Sequence, residues 1–126
     1  MKRVLLLCSS TDGQTRKICD RLRQVLHDVG DTVTLTMIQD ARELSPADFQ
    51  MAVIGARIRY GRTDARVIEY ANRHAAALNA MPSAFFSVNL VARSPGKNRP
   101  ETNPYVQAFL RRVAWRPQLL EVFSGK

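Results

Sequence analysis

The sequence predicts an α/β protein built on a doubly wound, parallel five-stranded sheet in the order 2-1-3-4-5. Three observations carry that expectation. Lys2 to Cys8, Met51 to Ala56 and Ser83 to Val88 are nearly continuous apolar runs, as expected of parallel strands covered on both faces. The segments between strands carry apolar residues at helical spacing, and strands alternating with helices imply right-handed crossovers and a parallel sheet. Asp31 to Met37 instead alternates Val33, Leu35 and Met37 with Thr32, Thr34 and Thr36, the pattern of an edge. An edge second strand beside a buried first strand leads to that order.

The elements follow in sequence. After the first strand and the turn Ser9 to Gly13, Ile18, Leu22, Val25, Leu26 and Val29 place one stripe on a helix that stops at Gly30. Ser45-Pro46 reads as an N-cap with proline at the first helical position, in a stretch long enough only for a turn. The third strand is Met51 to Ala56. Val67, Ile68, Ala71, Ala75 and Leu78 define one helix that begins near Thr63-Asp64 and stops before Pro82. Ser83 to Val88 is the fourth strand. A loop from Arg93 to Pro104 follows, with Thr102 or Asn103 capping a helix that carries Val106, Phe109, Leu110 and Val113. Leu119 to Phe123 is the fifth strand.

The 126 residues fit a single domain, and a chain of this size buries roughly two thirds of its unfolded surface. With 45% hydrophobic and 24% charged residues, the disordered, collagen-like and disulfide-scaffold classes are excluded. The apolar run near the start, Val4 to Cys8, is too short for a membrane span or a signal-peptide core, so the expected product is cytosolic. Cys8 and Cys19 suit a reducing compartment better than a disulfide. The chain stops directly after the fifth strand. The expectation is therefore a C-terminally incomplete domain over 1–126, its last helix missing and one sheet face open to a partner or a second copy, a homo-oligomer.

Nineteen Lys and Arg against eleven Asp and Glu leave a net charge of +8, which asks for an anionic partner. Arg93, Lys97, Arg99, Arg111, Arg112 and Arg116 stand in one stretch with a single acid, Glu101. They read as a patch for nucleic acid, anionic lipid or a carboxylate substrate, or as a solvated face. No zinc-ligand spacing or aromatic-basic motif supports nucleic acid.

In such sheets ligands bind beyond the carboxyl ends of the strands. The turn after the first strand, Ser9-Ser10-Thr11-Asp12-Gly13-Gln14-Thr15, offers four hydroxyls and a glycine ahead of a helix N-terminus, a setting for a terminal phosphate. It lacks the lysine of a triphosphate loop and the glycine spacing of a dinucleotide fold. After the third strand, Gly55-Ala56-Arg57-Ile58-Arg59-Tyr60-Gly61 offers an aromatic for a planar ligand and a glycine over which chain and ligand pass closely. Asn89 to Arg93, after the fourth strand, offers backbone amides and the Asn89 side chain to the edge of a heterocycle. Together the three turns point to a flavin mononucleotide (FMN) site.

These residues also resemble a known family. Ser10 to Thr15 is similar to the flavodoxin phosphate loop, and GARIRYG, MPSAFFSVNLVAR and WRP resemble the bacterial menaquinone-dependent protoporphyrinogen IX dehydrogenases of the flavodoxin-like type. The likeness runs over essentially the whole chain, and Met81 to Arg93 is its most specific part. The resemblance implies a flavodoxin-like fold and an FMN enzyme of haem synthesis. Such an enzyme lies peripherally on the cytoplasmic side of the inner membrane, with its anionic surface as partner. It oxidises protoporphyrinogen IX and passes electrons to menaquinone or ubiquinone.

By the same resemblance, Ser9, Ser10, Thr11, Asp12, Gly13, Gln14 and Thr15 hold the FMN phosphate. Ala56, Arg57, Ile58, Arg59, Tyr60 and Gly61 flank one side of the isoalloxazine, and Ser87, Val88, Asn89, Leu90, Val91, Ala92 and Arg93 the other. Arg57 departs from the small serine expected there, and relatives continue past the fifth strand with a basic, aromatic insertion and a final helix. The flavin performs the chemistry, so no catalytic base is assigned; His27, His74 and Cys8 read as surface or packing residues. The alternative reading is a non-enzymatic flavodoxin-like electron carrier, a class usually acidic and so opposed by the +8 charge. A receiver domain is excluded by Ser9-Ser10 and Gly55 where it needs acids.

Overall fold

A computed structural model describes residues 1–9, 13–59 and 61–124. Its elements are β1 (Arg3–Cys8), α1 (Gly13–Asp28), β2 (Thr32–Met37), β3 (Met51–Arg59), β4 (Arg62–Thr63), α2 (Ala65–Arg73), α3 (Ala75–Asn79), β5 (Ser83–Asn89), α4 (Pro104–Arg112) and β6 (Leu119–Ser124). Short 3₁₀ turns at 38–40, 46–48, 90–93 and 95–97 fill the connections. The five long strands are parallel in the order β2-β1-β3-β5-β6, the order predicted, since β5 and β6 are the fourth and fifth strands of the sequence reading.

The sheet has one strand more than predicted. β3 runs three residues past Ala56 and folds back antiparallel on β4, pairing Ile58 with Thr63 and Arg59 with Arg62. Gly61 closes this hairpin at φ 74°, a conformation that favours glycine. Arg57 to Arg59, expected in a loop, are therefore strand residues, held by backbone pairing of Ile58 and Arg59 to β4 and of Arg57 to β5.

Alternation along the strands divides the core. On one face Val4, Leu6, Cys8, Val53 and Phe86 meet Cys19, Ile18, Leu22 and Leu26 of α1. On the other, Leu5, Leu7, Ala52, Ile54 and Phe85 pack under Val67, Ala71, Leu78 and Phe109 of α2, α3 and α4. Phe85 and Phe109 stack at 4.0 Å, and the buried Trp115 stands edge-on to both. The Trp115 indole N–H donates to Ser83 Oγ at 2.9 Å, so its one polar atom is satisfied in the core.

The helix ends follow their local chemistry. α1 stops where Gly30 takes φ 98°, with Asp31 N–H donating to the Leu26 carbonyl at 3.0 Å. Ser45 caps the 3₁₀ turn at Pro46 by accepting from Ala47 N–H. The long helix expected from Thr63-Asp64 to Pro82 is instead two, broken at His74. Each piece is tied separately to the strap 112–116, Asn72 to Arg112 and Ala114, and Asn79 to Ala114 and Arg116. These four long-range bonds have no local signature, which is why helical spacing alone joins the two.

α4 runs back against the strand direction, from the carboxyl end of β5 to the amino end of β6, where Gln118 N–H donates to Ser83 O. That crossing divides the expected basic patch. Arg93, Lys97 and Arg99 lie before α4, at the carboxyl end of the sheet; Arg111, Arg112 and Arg116 lie at its far end. Arg116 is moreover bound to carbonyls, its Nη1 donating to Leu110, Val113 and Trp115 as it caps the helix. Among the described residues no helix follows β6, and Leu119 (65%) and Phe123 (37%) are exposed, Phe123 edge-on to Phe86.

Candidate functional site

The carboxyl ends of β1, β3 and β5 converge at one end of the sheet, as the parallel order requires. Ser9 ties two of them together. Its N–H donates to the Gly55 carbonyl at 3.0 Å, and its hydroxyl accepts from Arg57 N–H at 3.1 Å. The O–H proton of Ser9 is left to donate elsewhere, but the side chain serves the β1–β3 junction first.

Thr15 lies on the first turn of the sixteen-residue α1, 1% exposed, and its Oγ1 is buried with no hydrogen-bond partner among the described residues. An orphaned buried hydroxyl costs about 1–3 kcal/mol. Here it stands in the first turn, at the positive end, of a helix directly beyond β1, where a phosphate oxygen would satisfy it. Gly13 starts that helix at φ 74°, and half-buried Gln14 follows. Ser10, Thr11, Asp12 and Tyr60 of the predicted set lie outside the described residues.

The other predicted residues divide into those facing the strand ends and those consumed by the fold. Gly55 faces a side chain rather than a ligand: a Cβ there would overlap the ring of its β5 neighbour Phe86. Ala56 is fully buried in the α2–α4 core, Val88 packs on the α1 face and Ala92 joins Val106 and Val122, so these three offer a ligand backbone alone. Ile58 and Arg57 are half-buried on the hairpin, and Arg93 is exposed. Arg59 is placed by its pairing with Arg62, and Leu90 and Val91 by the 3₁₀ turn after β5.

The Asn89 side chain, expected at the edge of a ligand, is spent within the fold. Its Nδ2 donates to Ser87 Oγ and Asn103 Oδ1, and its Oδ1 accepts from Ala92 N–H and Asn103 Nδ2, so every polar group of the buried side chain is engaged. Asn103 in turn caps α4 by accepting from Tyr105 and Val106 N–H and donates to the Lys97 carbonyl. This asparagine pair fixes the turn 90–93 at the strand ends. The cap was legible from Asn103-Pro104; the partnership with Asn89 was not.

On the β4 side, Asp64 caps α2 through Arg66 N–H and holds the Arg66 guanidinium at 2.7 Å. Burial alone would raise its carboxyl, but the Arg66 side-chain and backbone hydrogen bonds, with the charges of Arg66 and Arg57, hold it below its ordinary range. Cys19 is pushed strongly up by its hydrogen bond with Cys8 and by burial, so it stays a thiol. Among the described residues no cluster of His, Cys, Asp or Glu is arranged to hold a metal ion.

Such a sheet, with a phosphate-ready helix N-terminus at its carboxyl end, defines the flavodoxin class of α/β fold. The two-electron reduced flavodoxin of Megasphaera elsdenii superposes with a TM-score of 0.70 at 14% identity, over 94% of this chain and 84% of that one. Flavodoxin 1 of Bacillus cereus gives 0.66 at 14% identity, over 98% and 85%. The flavodoxin-domain family matches residues 5–126. A protoporphyrinogen IX dehydrogenase (quinone) of Escherichia coli K12 is 42% identical over 98% of this chain and 68% of its own length. One of Leishmania major is 43% identical over 96% of this chain, which spans about half, 53%, of that relative. The chain belongs to the flavodoxin family and, within it, to the protoporphyrinogen IX dehydrogenases (quinone). The cofactor of this class is FMN, which Thr15 and the α1 N-terminus fit through its phosphate.

Proposed function

We propose that this chain, carrying FMN, oxidises protoporphyrinogen IX to protoporphyrin IX and hands the electrons to menaquinone or ubiquinone, a step of haem synthesis. One observation carries the reading: the likeness to dehydrogenases of that name runs through 96% and 98% of the chain, all three strand-end turns included. Bound FMN supplies the two-electron acceptance. The chain's residues do the positioning. The α1 N-terminus and Thr15 take the phosphate, the β3–β4 hairpin walls one side of the ring system, and the turn 90–93, fixed by Asn89 and Asn103, walls the other. The test is anaerobic addition of protoporphyrinogen IX to the FMN-loaded protein. Flavin absorbance should bleach and return on adding a menaquinone analogue; an unchanged spectrum sinks the reading.

The same proposal seats the protein peripherally on the cytoplasmic, anionic face of the inner membrane. Its support is the +8 charge, with Arg93, Lys97 and Arg99 exposed at the flavin end. No helix among the described residues is long and apolar enough to cross a membrane. A second copy is the partner proposed for exposed Leu119 and Phe123 on β6, to be read by sedimentation at increasing concentration.

A further inference from the structure

A second concavity opens where the 3₁₀ turn after β2 faces α2. It is a groove of about 260 Å³ whose lining includes Ile38, Arg42, Arg66, Glu69, Tyr70 and Arg73. Its walls are fixed. Tyr70 donates its hydroxyl to the Leu44 carbonyl at 2.8 Å, binding α2 to the segment after the turn, and Ile38 is buried beneath. Three guanidiniums meet one carboxylate in this lining. Arg73 spends one N–H on Glu69 at 3.1 Å, and Arg66 is forked on Asp64. Arg42 has no ion-pair partner among the described residues, and each arginine has five donors, so most of the N–H capacity here is unspent.

The groove lies at the same end of the sheet as the flavin site. It adjoins the carboxyl end of β2, and Arg66 stands in the first turn of α2, directly after the β3–β4 hairpin. We propose that this groove is a carboxylate subsite that receives the acidic side arms of the substrate while the macrocycle lies toward the hairpin. The proposal rests on the function proposed above, whose substrate carries two propionates. Two features favour separated carboxylates over one compact phosphate. Arg66 and Arg73 are two helical turns apart, about 10 Å along the axis, a spacing for two acids rather than one. Glu69 in the lining repels a dianionic phosphate more than a singly charged carboxylate. The volume lies below the roughly 300–1,000 Å³ of a small-molecule pocket, so the groove takes side arms and leaves the ring outside.

The test compares protoporphyrin IX with its dimethyl ester, titrated by fluorescence into the FMN-loaded full chain. The diacid should bind more tightly than the ester. R42Q/R73Q should weaken the diacid roughly tenfold, about 1.4 kcal/mol, and leave the ester and FMN unchanged. Glu69→Gln should tighten the diacid, a gain that misfolding does not produce. Unchanged diacid affinity in the double variant, or inorganic phosphate competing as well as the diacid, overturns the proposal. The two readings fail separately. If wild-type FMN is not reduced by protoporphyrinogen, the function is wrong; if wild type and double variant are reduced with the same KM, only the groove assignment is wrong.

Discussion

Thr15 places a buried hydroxyl where the described residues offer no partner, so its replacement should act oppositely on two states. Thr15→Val removes the orphan and should leave the FMN-free protein as stable or more so in urea. It should also weaken FMN binding by about 1.5–3 kcal/mol, the range for a hydrogen bond to a charged group. Equal FMN affinity in a titration would remove Thr15 from the phosphate site. Gly55 tests the other half of the site. Because the Phe86 ring fills the space of a Cβ there, Gly55→Ala should cost about 1–3 kcal/mol through overpacking. G55A/F86L should recover much of the loss in a urea melt, since the smaller side chain vacates that space; no recovery would separate Gly55 from Phe86.

Between elements, single side chains join what local spacing cannot. Asn103→Ala removes the α4 cap, worth about 0.5–2 kcal/mol, and also strands Asn89, adding about 1–3 kcal/mol. The expected loss in urea therefore exceeds that of Ser45→Ala, which removes a cap from an isolated 3₁₀ turn. His74, at the break between α2 and α3, lies against the Tyr70 ring at 4.5 Å with a buried Nε2 that has no partner among the described residues. Burial, then the Arg73 charge, lowers it below its ordinary 6.5. The unfolded chain thus binds the proton more readily than the folded one. The stabilisation is complete above pH 6.5 and declines as pH falls below it toward the folded value. Melting temperature should fall between about pH 7 and pH 5 more steeply in the wild type than in His74→Gln. Parallel curves would assign the acid sensitivity to other groups.

At the scale of the molecule, α4 decides what the positive charge can do. Its nine residues hold Arg93, Lys97 and Arg99 apart from Arg111, Arg112 and Arg116 by about 13 Å of helix, more than a Debye length at physiological salt. If the flavin end meets the membrane, reversing charge at Arg93, Lys97 and Arg99 should abolish binding to anionic vesicles, and binding should decline as salt rises. Reversal at Arg111 and Arg112 should change it little. Equal loss from both groups, measured by vesicle co-sedimentation, would mean that net charge rather than an oriented face drives binding.

The sequence by itself determined the five parallel strands, their order and the flavodoxin class, because each rests on short-range patterns. Apolar runs mark buried strands, and helical stripes mark the crossovers. Only the tertiary structure decided that Gly55 accommodates Phe86, that Asn89 belongs to Asn103, and that the helix after β4 is two helices. It likewise decided that six basic residues form two groups and that Arg42, Arg66 and Arg73 share a groove. Each of these depends on which distant side chains the parallel crossovers bring together, and spacing along the chain carries no record of a contact made across the sheet.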